Sequence, residues 1–239
     1  QYKEQHERVN GDSGFSFEKF LSPDALTICF ARRFATYKRA PLLFRHLEKV
    51  LPLFNDPARP LQMVFAGKAH PRDDEGKRYI QRIIEMTRHP QLFGKVVFVE
   101  NYNIDVARHL VSGADVWLNT PRRPLEASGT SGMKVVIHGG LNLSIMDGWW
   151  REGYNGANGW AIGDDLSVPD VDAQDEQDFE NLFRVLSEEV IPEFFDRDGE
   201  RIPRRWIARI RNSMRTLIPA YSTDRMVAEY VKKYYLASP

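Results

Sequence analysis

Ala114-Asp115-Val116-Trp117-Leu118, then Glu126-Ala127-Ser128-Gly129-Thr130-Ser131-Gly132-Met133-Lys134, then Val135-Val136-Ile137 read as a buried strand, a loop of small and hydroxyl residues, and a short helix. Gly129 and Gly132 let the backbone come close to a ligand, and Ser128, Thr130 and Ser131 offer hydroxyl groups. Unpaired N–H groups at a helix start favour an anion, so a loop of this kind can hold a phosphate. Glu126 accepts hydrogen bonds and donates none, which suits sugar hydroxyls. Lys134, about one turn into the helix, is an amine placed to reach back over the same pocket.

Working outward, apolar runs of strand length recur at Leu26 to Phe30, Leu61 to Ala66, Val96 to Val99 and Leu141 to Ile145, with Asn158 to Ile162 as a last short strand. Between them, Lys38 to Phe54, Glu75 to Arg88 and Asp105 to Val111 carry apolar residues at helical spacing. Alternating strands and helices predict an α/β fold, a Rossmann-like doubly wound parallel sheet whose ligands lie at the carboxyl ends of the strands. The polar clusters fall where that rule puts them. Arg32, Arg33, Lys38 and Arg39 follow the first strand, Gly67-Lys68-Ala69-His70-Pro71 the second, and Glu100-Asn101-Tyr102-Asn103 the third. Arginine forks and a mobile lysine after the first strand suit a second phosphate.

Past Ile145, Asp147 to Gly156 is dense in glycine and aromatic residues. Trp149 and Trp150 there either pack on a sugar face or cofactor ring or pin the loop to the core. The acidic run from Ser167 to Gln177 reads as an exposed connection before a helix over Glu176 to Val190, and it has no metal-ligand spacing. Two amphipathic helices, Arg204 to Leu217 and Thr223 to Tyr235, close the chain.

The 239 residues suffice for one large or two small domains. Thirty-three basic and 33 acidic side chains cancel, so no nucleic-acid or membrane partner is held by bulk charge. Cys29 is the sole cysteine, which excludes an internal disulfide and fits a cytoplasmic location. No stretch approaches the roughly 20 apolar residues of a membrane span, and the charged opening QYKEQHERVN does not read as a signal peptide. That opening reads as the middle of a polar helix. Residues 1–24 are therefore expected to continue from an N-terminal domain not contained here, and residues 25–239 to form the Rossmann-like domain, with C-terminal helices from about residue 174.

EASGTSGMK closely resembles the pyridoxal-phosphate lysine motif of the α-glucan (glycogen, starch, maltodextrin) phosphorylases. RRFATYKR (32–39), GKAHP (67–71), VVFVENYN (96–103) and MDGWWREGYN (146–155) occur in that family's order, and STDRMVAEYVKKYY (222–235) resembles its terminal helix. Thr-Ser-Gly-Met-Lys and Gly-Trp-Trp are similar to the shorter bacterial and archaeal branch. The resemblance implies the C-terminal half of a GT-B architecture. It also implies cleavage of α-1,4-glucan by inorganic phosphate to glucose 1-phosphate with retention, and pyridoxal 5'-phosphate as cofactor.

By the same resemblance Lys134 bonds the cofactor, Thr130, Ser131 and Arg32 hold its phosphate, and Tyr102 and Asn103 line its ring. Arg33 and Lys38, with Tyr37 beside them, bind the substrate phosphate, while Glu126, Ser128 and Gly129 bind the glucosyl hydroxyls. Lys134, Arg33 and Lys38 are the implied catalytic residues. Asn103 stands where animal members carry arginine, and His138 where asparagine is usual. The family's N-terminal domain carries much of the glucan site, so this chain alone is expected to lack phosphorolysis; a homo-oligomer is left open. Two rivals stand beside this reading. One is a nucleotide-sugar glycosyltransferase of glycogen synthase type with the same architecture. The other is a non-catalytic carbohydrate-binding domain using Trp149 and Trp150.

Overall fold

The computed structural model of the chain describes residues 20–164 and 169–236. Among these, six strands form one sheet: β1 (Leu26–Ala31), β2 (Leu61–Ala66), β3 (Val96–Val99), β4 (Val116–Asn119), β5 (Leu141–Ile145) and β6 (Gly159–Ile162). Their order is β3-β2-β1-β4-β5-β6 and every pair is parallel. This is the expected Rossmann-like arrangement.

Side chains alternate between the two faces of a strand, and here both faces are covered. Ile28, Phe30, Met63, Phe65, Val96 and Phe98 enter a larger core. Their neighbours Cys29, Ala31, Val64, Ala66 and Val97 enter a second one with Trp117. This double burial is why the strands read as unbroken apolar runs. Each large side chain so buried contributes about 1.5–3 kcal/mol.

Helices cover the larger core with α1 (Leu47–Phe54), α2 (Asp74–Arg88) and, later in the chain, α6 (Val171–Val185). The opposite face carries α3 (Ile104–Gly113) and α4 (Ser131–Val136). After β5 comes α5 (Trp149–Gly153). Past α6 and a π-helical turn at Leu186–Val190, α7 (Ile191–Phe195), α8 (Arg204–Ala220) and α9 (Thr223–Tyr230) end the described chain with a further π turn at Val231–Tyr235. Among the described residues no helix is long and apolar enough to cross a membrane.

Two helix expectations need correction. The helix expected over Lys38 to Phe54 is broken into 3-10 turns at Thr36–Lys38 and Leu42–Phe44 before α1 begins at Leu47. Arg39 takes a left-handed conformation (φ 46°) and Pro41 follows, so no continuous helix can run through them. The acidic run is not all connection either. Asp170 caps α6 by accepting from the Ala173 N–H at 2.7 Å, and the helix starts at Val171 rather than Glu176. The polar helix expected in the first residues lies outside the described residues.

The chain steps outward from β1 to β3 and returns past β1 to β4, so a crevice opens between β1 and β4 where the direction of winding reverses. The register between these two strands runs only from Ile28↔Val116 to Cys29↔Trp117. Beyond it the carboxyl ends diverge, and the loops after β1, β4 and β5 converge.

Candidate functional site

The segment after β1 is fastened before it reaches the crevice. Arg32 N donates to Ala66 O at 3.1 Å and Phe34 N to Lys68 O at 2.9 Å, continuing the ladder with β2. At Gly67 (φ +155°) a Cβ would lie 2.0 Å from Arg32 O, so glycine alone permits this approach. The fully buried Phe34 ring anchors the same turn. On the other side, Thr120 Oγ1 donates to Lys38 O at 3.0 Å and Arg122 N to Tyr37 O at 2.7 Å, tying this segment to the loop after β4.

These constraints bring Arg32, Lys38 and Glu126 together, each less than a tenth exposed. Arg32 Nη2 donates to Glu126 Oε2 at 2.5 Å. Lys38 Nζ lies 3.1 Å from Oε2 and 3.4 Å from Oε1, and 4.9 Å from the centre of the Tyr37 ring. Burial pulls the Arg32 guanidinium below its ordinary pKa, against the opposing attraction of Glu126. Its Nε and Nη1 are buried with no hydrogen-bond partner. Each such orphaned donor costs about 1–3 kcal/mol, a cost that a bound anion removes. Arg33, next in the chain, is exposed.

The loop carrying Glu126 is shaped by residues after β5. Asp147 Oδ2 accepts from Glu126 N at 2.9 Å while Oδ1 accepts from Gly148 N at 2.9 Å, and Trp149 N donates to Ser128 O at 2.9 Å. A Cβ on Gly148 (φ +56°) would sit 2.4 Å from Ser128 O. Ser131 Oγ accepts from Trp117 Nε1 at 3.2 Å, and Asn142 Nδ2 donates to Gly132 O at 3.1 Å. Trp149 and Trp150 are buried, Trp150 completely, with Trp150 Nε1 donating to Trp160 O at 3.1 Å. They pin the loop to the core, and Trp149 also borders the cavity beside Lys134.

Lys134 is an exposed residue of α4 and borders a cavity of about 560 Å³. Ser128, Thr130, Met133 and Trp149 line it on one side and Leu217 and Tyr221 on the other. Tyr102 is half-buried against the core that holds Trp117 and Val135, and burial raises its phenol pKa. Asn103 Oδ1 caps α3, accepting from Val106 N at 3.0 Å. Of the sequence-predicted residues, the structure thus gathers Arg32, Lys38 and Glu126 in one cluster, with Tyr37 against Lys38. It sets Ser128, Thr130 and Lys134 around one cavity.

Two features escaped the sequence reading. Asp147 was seen as part of an aromatic loop, although an aspartate directly before glycine after a buried strand is a signal for backbone capture. Arg39 does not join the anion cluster. Instead it bonds Asp175 (2.9 Å) and Asp178 (2.7 Å), which also hold Arg122 (2.5 Å) and Arg123 (2.7 Å). Burial would raise the Asp175 pKa, but hydrogen bonds from Arg122 and Arg39 outweigh it and hold it low.

A doubly wound sheet with a buried cation–carboxylate cluster and a hydroxyl-rich loop at its switch point defines a domain built to bind an anionic ligand. Comparison with known proteins narrows this class. The family model described as carbohydrate phosphorylase matches residues 15–152, and the chain belongs to that family. It is 48% identical over 215 residues to the maltodextrin phosphorylase of Thermococcus litoralis, covering 90% of this chain and 25% of that one. It is 46% identical over 216 residues to the glycogen phosphorylase of Aquifex aeolicus, covering 90% and 31%. The glycogen phosphorylase of Mycobacterium tuberculosis (strain H37Rv) is 46% identical over 215 residues, covering 90% and 25%. The chain therefore spans a quarter to a third of the length of these curated relatives.

Proposed function

We propose that the chain is the cofactor- and phosphate-binding domain of an α-glucan phosphorylase, an enzyme that cleaves α-1,4-glucan with inorganic phosphate and releases glucose 1-phosphate with retention. The observation that carries this reading is the meeting of buried Arg32 and Lys38 with Glu126 at the switch point, with orphaned donors on Arg32. The 46–48% identity to maltodextrin and glycogen phosphorylases supports it.

The residues present fit pyridoxal 5'-phosphate. The cavity beside Lys134 has hydroxyls from Ser128 and Thr130 and an apolar wall including Met133 and Leu217; Arg32, with donors to spare, sits on Glu126, two residues before Ser128, outside the residues that line this cavity. Bound there, the cofactor supplies a phosphate group able to exchange a proton with inorganic phosphate. Lys134 would hold the cofactor covalently, Thr130, Ser131 and Arg32 would hold its phosphate, and Tyr102 and Asn103 would line its ring. Arg33 and Lys38 orient inorganic phosphate, and their charge keeps it in place beside the sugar carbon as positive charge develops there. Tyr37 packs under Lys38 and limits where its amine can go. Glu126, Ser128 and the Gly129 backbone receive the glucosyl hydroxyls.

The test is borohydride reduction of the complete protein in the presence of pyridoxal 5'-phosphate, followed by peptide mapping. The label is expected on Lys134 in stoichiometric amount. A label spread over surface lysines, with Lys134 unmarked, contradicts the reading.

A further inference from the structure

Asp147 is a buried carboxylate just past β5, and among the described residues it pairs with no cation. Its two oxygens serve backbone groups instead: Oδ2 accepts from Glu126 N and Oδ1 from Gly148 N, each at 2.9 Å. Its own N–H donates to Ile145 O at 2.8 Å, which fixes the carboxylate to the end of β5. A side chain leaving one strand end thus holds the main chain of a loop that follows another strand, 21 residues away.

We propose that Asp147 is a positioning residue: by holding the Glu126 backbone N–H it sets where the Glu126 carboxylate stands, beside Arg32 and Lys38 and open to the glucosyl hydroxyls. With both oxygens on backbone groups, Asp147 acts through Glu126 rather than on a ligand. This rests on reading Glu126 as an acceptor for glucosyl hydroxyls.

Three observations support this role. From Glu126 to Ser128, the backbone hydrogen bonds among the described residues both come from the turn after β5, one from Asp147 and one from Trp149 N to Ser128 O at 2.9 Å. That turn lies directly against the loop, since a Cβ on Gly148 would sit 2.4 Å from Ser128 O and 3.0 Å from Glu126 O. Finally, only a carboxylate suits the position. It accepts with both oxygens, and a charged acceptor bonds N–H groups about twice as strongly as a neutral one. Asparagine has the same shape but would turn its NH₂ group toward one of the two N–H donors.

A double-mutant cycle on the complete protein tests this. Glucose 1-phosphate release from maltodextrin and inorganic phosphate is measured for wild type, Asp147→Asn, Glu126→Gln and the double variant, each normalised to bound pyridoxal 5'-phosphate. Displacing a positioning group by about 1 Å costs up to about a hundredfold, so Asp147→Asn is expected to lower kcat/KM by about tenfold to a hundredfold. On the Glu126→Gln background the same change is expected to cost no more than about twofold, because the group it positions is already lost. Equal losses on both backgrounds mean that Asp147 acts on the fold and not through Glu126, and they overturn the proposal. Wild-type kcat/KM in Asp147→Asn beside an impaired Glu126→Gln overturns the positioning role alone. Wild-type kcat/KM in Glu126→Gln overturns the reading of Glu126, and the positioning role with it. Should Asp147→Asn fail to fold, Asp147→Glu takes its place in the cycle. It keeps the charge but moves it by one methylene, so a loss confined to the Glu126 background is again expected, and wild-type kcat/KM overturns the proposal.

Discussion

Arg32 and Arg39 come from the same short segment and meet opposite fates. Arg39 uses Nε on Thr120 O (2.9 Å), Nη1 on Asp175 (2.9 Å) and Nη2 on Pro121 O (2.8 Å) and Asp178 (2.7 Å). Arg122 and Arg123 complete that cluster, in which Arg123 Nε alone lacks a partner. Arg32 commits Nη2 to Glu126 and leaves two buried donors unmatched. A guanidinium with all three nitrogens engaged joins the loops after β1 and β4 to α6. One with donors left over in a crevice is prepared for something that comes from outside. Between these two arginines, the number of donors left unmatched, rather than residue type or burial, marks the difference.

The largest effect expected from this difference is on the closed cluster. Asp178→Ala strips Arg39 and Arg123 of their fully buried carboxylate and is expected to cost about 3–5 kcal/mol. Urea unfolding monitored by circular dichroism measures it. A smaller effect belongs to the open cluster. Arg32→Met removes one ion pair together with two unsatisfied donors, and Lys38 still faces Glu126, so stability is expected to change by less than about 1 kcal/mol in either direction. Uptake of pyridoxal 5'-phosphate is nonetheless expected to weaken. An Arg32→Met protein as damaged as Asp178→Ala would erase the distinction between the two regions.

The two regions were also unequally legible in the sequence. The strands showed as apolar runs because a parallel sheet buries both faces, and the cations after β1 and the loop after β4 fell at the carboxyl edge where such sheets collect ligands. Helix bounds failed where backbone geometry overrode periodicity, as at left-handed Arg39. The closed cluster was illegible for a different reason. Asp175 and Asp178 lie in an acidic run of the kind that is ordinarily solvated, and the arginine that buries them is 136 and 139 residues away. Asp147 was missed because its acceptors serve backbone N–H groups, which leave no pattern of side chains to read.

Glucose 1-phosphate release from maltodextrin and inorganic phosphate, measured on the complete protein and on its Lys134→Ala variant, tests the central claim most directly. Release by the wild type, falling at least about a thousandfold in Lys134→Ala at unchanged thermal stability, is the predicted result. Undiminished release by a folded Lys134→Ala protein, or none from a wild type saturated with pyridoxal 5'-phosphate, would contradict the account.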